Sequence, residues 1–122
     1  VALYKKYLAH LEPQVHIPEV MCVVPTRSVF TNFVIQVEKR ATLTKFLNKK
    51  GIEVVVQYPI PLHLQKAAGY LGYKKGDFPV CESQADTILT LPLHQYLTAS
   101  QIKYVADAIG EFYSIVYKKK YL

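Results

Sequence analysis

The chain has 122 residues, of which 51% are hydrophobic, and a formal net charge of +6. This length and composition indicate one globular domain over residues 1–122, and no apolar run approaches the roughly 20 residues that span a membrane. The lysines are scattered in short clusters with only two arginines and no nucleic-acid motif, so we expect neither a nucleic-acid nor a membrane partner.

The first eleven residues predict the end of a longer helix, because Leu3, Tyr7, Leu8 and Leu11 recur at helical spacing. The opening residues do not have the pattern of a secretory signal, and the chain does not begin with Met. We therefore interpret the chain as a piece of a larger protein. Residues 14–27 are predicted to form a loop with one short extended stretch at 15–17.

Two strands are predicted in the first half of the chain. Residues 28–37 carry large apolar groups on both alternating faces, which is typical of a central strand. Residues 52–57 are β-branched and mostly apolar, which indicates a second strand. Between them we predict a helix over 41–50, with Gly51 as its left-handed cap residue.

Shorter elements are predicted in the second half of the chain. The sequence predicts a two-turn helix over 64–71 and a loop that turns at Gly76-Asp77. A helix over 80–88 should then bury Cys81, Ala85 and Ile88, and residues 89–91 should form a third strand.

The final helix has the clearest pattern in the chain. Thr98 and Gln101 match a capping box, in which each side chain satisfies a free backbone N–H group. The apolar stripe that follows has helical spacing: Ile102, Val105, Ala106, Ile109, Phe112 and Val116. The order of elements predicts a short sheet of about three strands covered by helices.

The loop over residues 57–65 is the main candidate for ligand contact. Two prolines bias Tyr58 and Ile60 towards extended backbone conformations, and loops on rigid scaffolds often carry function. Tyr58 offers a hydrogen-bonding phenol and His63 an imidazole. The alternative is that the prolines only end the strand, and that both side chains have surface or packing roles.

The remaining residues offer no complete catalytic set. The glycines form no phosphate-binding loop, the histidines lack metal-ligand spacing, and no nucleophile motif occurs. Cys22 and Cys81 are expected to be buried free thiols, because both lie far from a partner in sequence. Since nothing requires an oxidising compartment, we expect a cytoplasmic protein.

Three segments together resemble the nucleotide-sugar aminotransferases of the DegT/StrS family. These are YPIPLHLQ at 58–65, LGYKKGDFPV at 71–80, and LTLPLH at 89–94 with Leu97, Thr98 and Gln101. They occur in the order and spacing of the family, and the resemblance covers the chain from about Tyr4 to Tyr113.

The resemblance implies the small C-terminal domain of a pyridoxal-phosphate enzyme that carries an amino group from glutamate to a nucleotide-linked keto sugar. It implies an α+β fold with a small, mostly antiparallel sheet. The Schiff-base lysine belongs to a large N-terminal domain that this chain lacks. We therefore expect the chain alone to be inactive and to hold no cofactor covalently, because the cofactor carries the difficult chemistry.

The resemblance also suggests site residues. The loop that matches Tyr58 to His63 faces the active-site cleft in family members, so both are candidates for contact with the sugar nucleotide or the cleft wall. Phe78 and Lys75, with Lys74, are candidates for the nucleotide end.

Two positions depart from the pattern of the family, since Gln57 and Thr31 stand where many members have histidine. These departures bear on which sugar is used. The alternative is a non-catalytic binding or regulatory module that keeps the small-domain fold. Family members are usually homodimers, so we expect a homo-oligomer and self-association of the isolated chain through apolar surface.

Overall fold

A computed structural model describes residues 1–19 and 28–118 of the chain. The elements, in chain order, are α1 (Ala2–Leu8) with a 3₁₀ turn (Ala9–Leu11), β1 (Val15–His16), β2 (Phe33–Val37), α2 (Arg40–Lys49), two 3₁₀ turns (Leu62–Leu64 and Lys66–Leu71), α3 (Pro79–Thr87), β3 (Ile88–Leu91) and α4 (Ala99–Lys118). Within the described ranges, no helix combines the length and the apolar character needed to cross a bilayer.

The three strands form one antiparallel sheet in the order β1-β2-β3. Val15 lies opposite Val37, and Phe33 lies opposite Leu91 at the far end of β2. Because β2 is paired on both sides, it is the central strand, as its two apolar faces predict. The predicted α+β fold with a three-stranded antiparallel sheet is confirmed.

The prediction of a strand over 52–57 was wrong. This segment makes only one isolated bridge, in which the backbone groups of Val55 and Thr90 exchange two hydrogen bonds of 3.2 and 2.8 Å. The third strand of the sheet is instead the short Val15–His16 pair. β-branched composition favours a strand only where neighbouring backbone is available for pairing, and the chain turns away at Tyr58 after a single bridge. The strand predicted over 28–37 is likewise shorter and begins at Phe33.

The core lies between the sheet and helices α1, α2 and α4. Its largest fully buried side chains are Tyr4, Leu8, Ile35, Leu43, Leu47, Leu89, Leu91, Ile109 and Val15. Tyr4 stacks on Phe33 with 5.0 Å between ring centroids, and its hydroxyl donates to the carbonyl of Pro92 at 2.9 Å. Burial raises the pKa of Tyr4 to about 12.

The two helix ends that the sequence predicts most clearly, the start of α4 and the end of α2, are confirmed. The backbone N–H of Thr98 donates to Gln101 Oε1 at 2.9 Å, and the N–H of Gln101 donates to Thr98 Oγ1 at 3.2 Å, which is the predicted capping box. Gly51 has φ +72°, and Ile52 N–H donates to the carbonyl of Leu47 at 3.0 Å. This is the six-residue closure of a Schellman motif.

Two other helix predictions need correction. The helix predicted over 64–71 consists of 3₁₀ turns without a buried residue, because its leucines and Tyr70 find no core to cover. Cys81 is exposed, since α3 reaches the core only through Ala85. Cys22 lies outside the described residues. Arg40 donates to the carbonyls of Ala85 and Ile88, and so holds the C-terminal end of α3 against α2.

Candidate functional site

The loop after the Val55 bridge turns sharply at Tyr58. Tyr58 has φ +57°, in the left-handed region, and its side chain is 69% exposed. The prediction of an extended conformation at Tyr58 was therefore wrong. The left-handed conformation costs a non-glycine residue about 1–2 kcal/mol, and the chain is anchored on both sides of this turn, by Val55 and by His63. A strained backbone that presents an exposed phenol is a feature found at binding sites.

Of the two departures from the family pattern, Gln57 contacts the residue that follows the other one, Thr31. Gln57 Nε2 donates to Asn32 Oδ1 at 3.3 Å, and Asn32 follows Thr31 directly. The start of β2 and the turn before Tyr58 therefore form one polar edge. Gln57 and Thr31 thus carry neutral groups at positions where many members of the resembled family have histidine.

His63 lies in the 3₁₀ turn Leu62–Leu64, and its side chain contacts α3. Its Nε2 lies 3.0 Å from Glu82 Oε1, and these two side chains are only 8% and 14% exposed. The same Glu82 oxygen accepts the backbone N–H of Gly76 at 2.8 Å. The hydrogen bond from Gly76, and after it that from His63, lowers the pKa of the Glu82 carboxyl.

Aromatic rings surround this pair. The rings of His63 and Phe78 lie 4.8 Å apart, and Phe78 meets the edge of Tyr73 at 5.1 Å. Phe78 still exposes 42% of its surface. Beyond it, Pro79, Val80, Cys81 and Gln84 border a shallow depression of about 390 Å³ on the outer side of α3.

The structure thus brings together two of the four residues predicted for the site, His63 and Phe78. Lys75 is exposed and stands next to Gly76, which donates to the carboxylate of Glu82. Tyr58 lies on the same loop as His63, but its phenol points to solvent and stays apart from the other three side chains.

Sequence reasoning missed Glu82, which joins these segments. Nineteen residues separate it from His63, and no spacing rule links the two positions. One weak signal existed, because Pro79 at the first helical position places Glu82 in the first turn of α3. Acidic residues are favoured there by the helix dipole.

The 57–78 segment also carries an unusual share of exposed apolar side chains. Those at its surface are Tyr58, Ile60, Leu62, Tyr70, Leu71, Tyr73 and Phe78. Large exposed apolar patches often mark contact surfaces, so this segment is a candidate contact surface.

None of the described lysines lies in a desolvated pocket. Such a pocket is one of the environments that activate a Schiff-base lysine. The described lysines are exposed except Lys50, which is paired with Glu111 at 2.8 Å. Among residues 1–19 and 28–118, no three His, Cys, Asp or Glu side chains converge as metal ligands do.

Comparison with known proteins identifies the class of fold. The structure superposes on a Streptomyces venezuelae protein, DesV, solved in complex with a ketimine intermediate, with a TM-score of 0.79 and 32% identity. The alignment covers 91% of this chain and 30% of that one. The fold is therefore that of one portion of a larger protein.

The sequence defines the family. Residues 1–110 match the DegT/DnrJ/EryC1/StrS aminotransferase family, and the chain belongs to it. A pleiotropic regulatory protein of Geobacillus stearothermophilus is 44% identical over 70% of this chain and 23% of its own length. The dTDP-3-amino-3,4,6-trideoxy-α-D-glucose transaminase of Streptomyces venezuelae is 32% identical over 91% of this chain and 29% of its own length. The chain thus spans less than a third of these two relatives.

Proposed function

We propose that this chain is the small C-terminal domain of a pyridoxal-phosphate-dependent aminotransferase that transfers an amino group from glutamate to a nucleotide-linked keto sugar. The observation that carries the proposal is the match to a nucleotide-sugar transaminase over 91% of the chain, with 32% identity. The fold agrees, since a DegT/DnrJ/EryC1/StrS aminotransferase from Brucella abortus superposes over the same share of the chain, with a TM-score of 0.74 and 34% identity.

In this proposal the chain shapes the substrate side and takes no part in the covalent chemistry. The cofactor supplies an electron sink when it is bound by the rest of the enzyme. Tyr58, exposed on its strained turn, donates or accepts a hydrogen bond with the sugar. Lys75, with Lys74 beside it, attracts the phosphates of the nucleotide. Phe78 offers an apolar surface to the ligand, and the His63 ring packs behind Phe78 and supports it.

The same proposal makes the isolated chain inactive, because the lysine that forms the Schiff base lies in another part of the enzyme. The intact enzyme would be a cytoplasmic homo-oligomer. The apolar side chains of the 57–78 segment are then covered by other protein. The isolated chain should self-associate, and light scattering that finds only monomer over a wide concentration range would contradict this.

The test uses the complete reading frame that contains these residues. The purified protein should bind pyridoxal phosphate, absorb in the visible range and change its spectrum with glutamate. Tyr58→Phe should lower kcat/KM for the nucleotide sugar by about tenfold, the value of one hydrogen bond. Tyr96→Phe, which alters another exposed tyrosine, is the matched control.

A second candidate is a regulatory module that has kept the fold without the chemistry. It is favoured by the 44% identity to a protein named as a pleiotropic regulator. A complete protein that stays colourless with pyridoxal phosphate and does not respond to glutamate would reject the aminotransferase and favour this candidate.

A further inference from the structure

The 57–78 segment has no share in the buried core. None of its residues is fully buried, and the core cluster contains residues on either side of it, Ile52 and Leu89, but none within it. Apolar burial is the usual source of stability for a loop position. Another set of interactions must therefore fix the backbone of this segment against α3.

The polar contacts of Glu82 meet this need. Its Oε1 accepts one hydrogen bond from His63, in the 3₁₀ turn Leu62–Leu64, and one from Gly76, in the loop before α3. A single carboxylate oxygen thus ties two parts of the segment, thirteen positions apart in sequence, to the first turn of α3. The Phe78 ring covers the imidazole of His63 and limits the access of water.

Low exposure makes these contacts stronger than ordinary surface pairs. A carboxylate with little access to water needs hydrogen-bond donors, and removal of His63 would leave Glu82 with the Gly76 N–H as its remaining donor from the segment. The chain contains a useful contrast in His16 and Glu12, which lie 3.1 Å apart but are about half exposed. Exposed pairs of that kind contribute little.

We propose that His63 and Glu82 are a positioning pair, which holds the 57–65 loop and the 72–78 loop on α3 and so fixes where Tyr58 and Phe78 meet a ligand. His63 then acts through its neighbours and does not touch the substrate. The ligand part of this proposal rests on the proposed function, whereas the positioning part stands on the geometry alone.

The test of positioning uses the 122-residue chain and limited trypsin digestion followed by mass spectrometry. Lys66, Lys74 and Lys75 lie in the segment, and Lys103 in α4 serves as an internal reference. In His63→Ala, cleavage at the three segment sites should rise roughly tenfold or more through local opening, while cleavage at Lys103 stays unchanged. His16→Ala, which alters the exposed pair, should change cleavage neither at the segment sites nor at Lys103.

A conservative variant separates the hydrogen bond from general packing. His63→Gln keeps an N–H donor near the position of Nε2, so it should restore most of the protection. The carbon-13 signal of the Glu82 carboxyl provides a second readout. His63→Ala should raise the pKa of Glu82, and His63→Gln should raise it less, because Gly76 still donates in both.

Two results would overturn the proposal. One is equal cleavage at the segment sites in His63→Ala and His16→Ala. The other is a rise at Lys103 that matches the rise at Lys66, which would show that His63 only supports global stability.

In the complete enzyme, His63→Ala should raise KM for the nucleotide sugar more than it lowers kcat, with rescue by His63→Gln. If the complete protein has no aminotransferase activity, the proposed function is wrong and this last experiment cannot be done. The digestion experiment would still decide whether His63 has the positioning role.

Discussion

The sheet with its three main helices and the 57–78 segment are held by different kinds of interaction. The first region buries nine large side chains completely, from Tyr4 at one end of the chain to Ile109 near the other. The second buries none, and two hydrogen bonds join it to one carboxylate of α3. Apolar burial does not depend on the relative orientation of the groups in contact. A hydrogen bond to a charged group does, and it therefore sets the positions of both partners. The region with the least buried area is therefore the one whose positions are set by specific polar contacts.

The largest expected effect is a cavity in the core. Ile109→Ala should lower the free energy of unfolding by about 2–5 kcal/mol, because Ile109 is fully buried between α4 and the sheet. Leu62→Ala, an exposed leucine of the 57–78 segment, should change it by less than about 0.5 kcal/mol. Urea denaturation of both variants provides the measurement, and similar losses would remove the distinction between the regions.

The next effect appears at alkaline pH. Burial raises the pKa of Tyr4 to about 12 in the folded chain, while the unfolded chain has the ordinary value of about 10. The native state therefore keeps this proton when the unfolded state loses it, and the contribution of Tyr4 to stability, roughly 2–3 kcal/mol, is lost as pH rises from 10 to 12.

The matched comparison for this pH effect is Tyr4→Phe against Tyr96→Phe. Burial also raises the pKa of Tyr113, which adds to the same alkaline decline in every variant. The slope of unfolding free energy against pH should become shallower only in Tyr4→Phe. Equal slopes in the two variants would show that Tyr4 does not stay protonated.

Substitution of one glycine in each region compares how much backbone strain the two regions impose. Gly51 ends α2 with φ +72°, and a methyl group added there would meet no atom within 4 Å. Gly51→Ala therefore costs only backbone strain, about 1–2 kcal/mol. Gly69, in the 57–78 segment, has equal space and no positive φ. Gly69→Ala should be neutral or slightly stabilising. Thermal unfolding of the two variants makes the comparison.

The smallest effect concerns the capping box. Thr98→Ala removes the acceptor for the N–H of Gln101 and should cost about 1 kcal/mol. Ser114→Ala, at an exposed site inside α4, is the control. Circular dichroism during denaturation would detect the difference, and equal midpoints would mean that the box adds nothing to α4.

Much of the fold could be predicted from local patterns. The stripe and capping box of α4, the cap at Gly51 and the strand after α3 each follow from residues within one or two turns. The errors have a common cause. The 52–57 run was assigned to a strand from residue type, but it makes only one bridge although Ile52 is buried in the core. Cys81 was assigned a buried role, but it lies on the exposed side of α3. Residue type alone does not indicate whether a neighbouring element is present.

The sequence by itself indicated the family, an α+β fold with about three strands and the loop that carries Tyr58 and His63, because short motifs and periodicity are local properties. It did not identify the third strand, which is Val15–His16 and not 52–57. Only the tertiary structure decided that Glu82 receives His63 and Gly76 together, and that Gln57 meets Asn32. Those contacts join residues far apart in the chain. Their formation depends on where the sheet and α3 place the backbone, which no spacing along the sequence records.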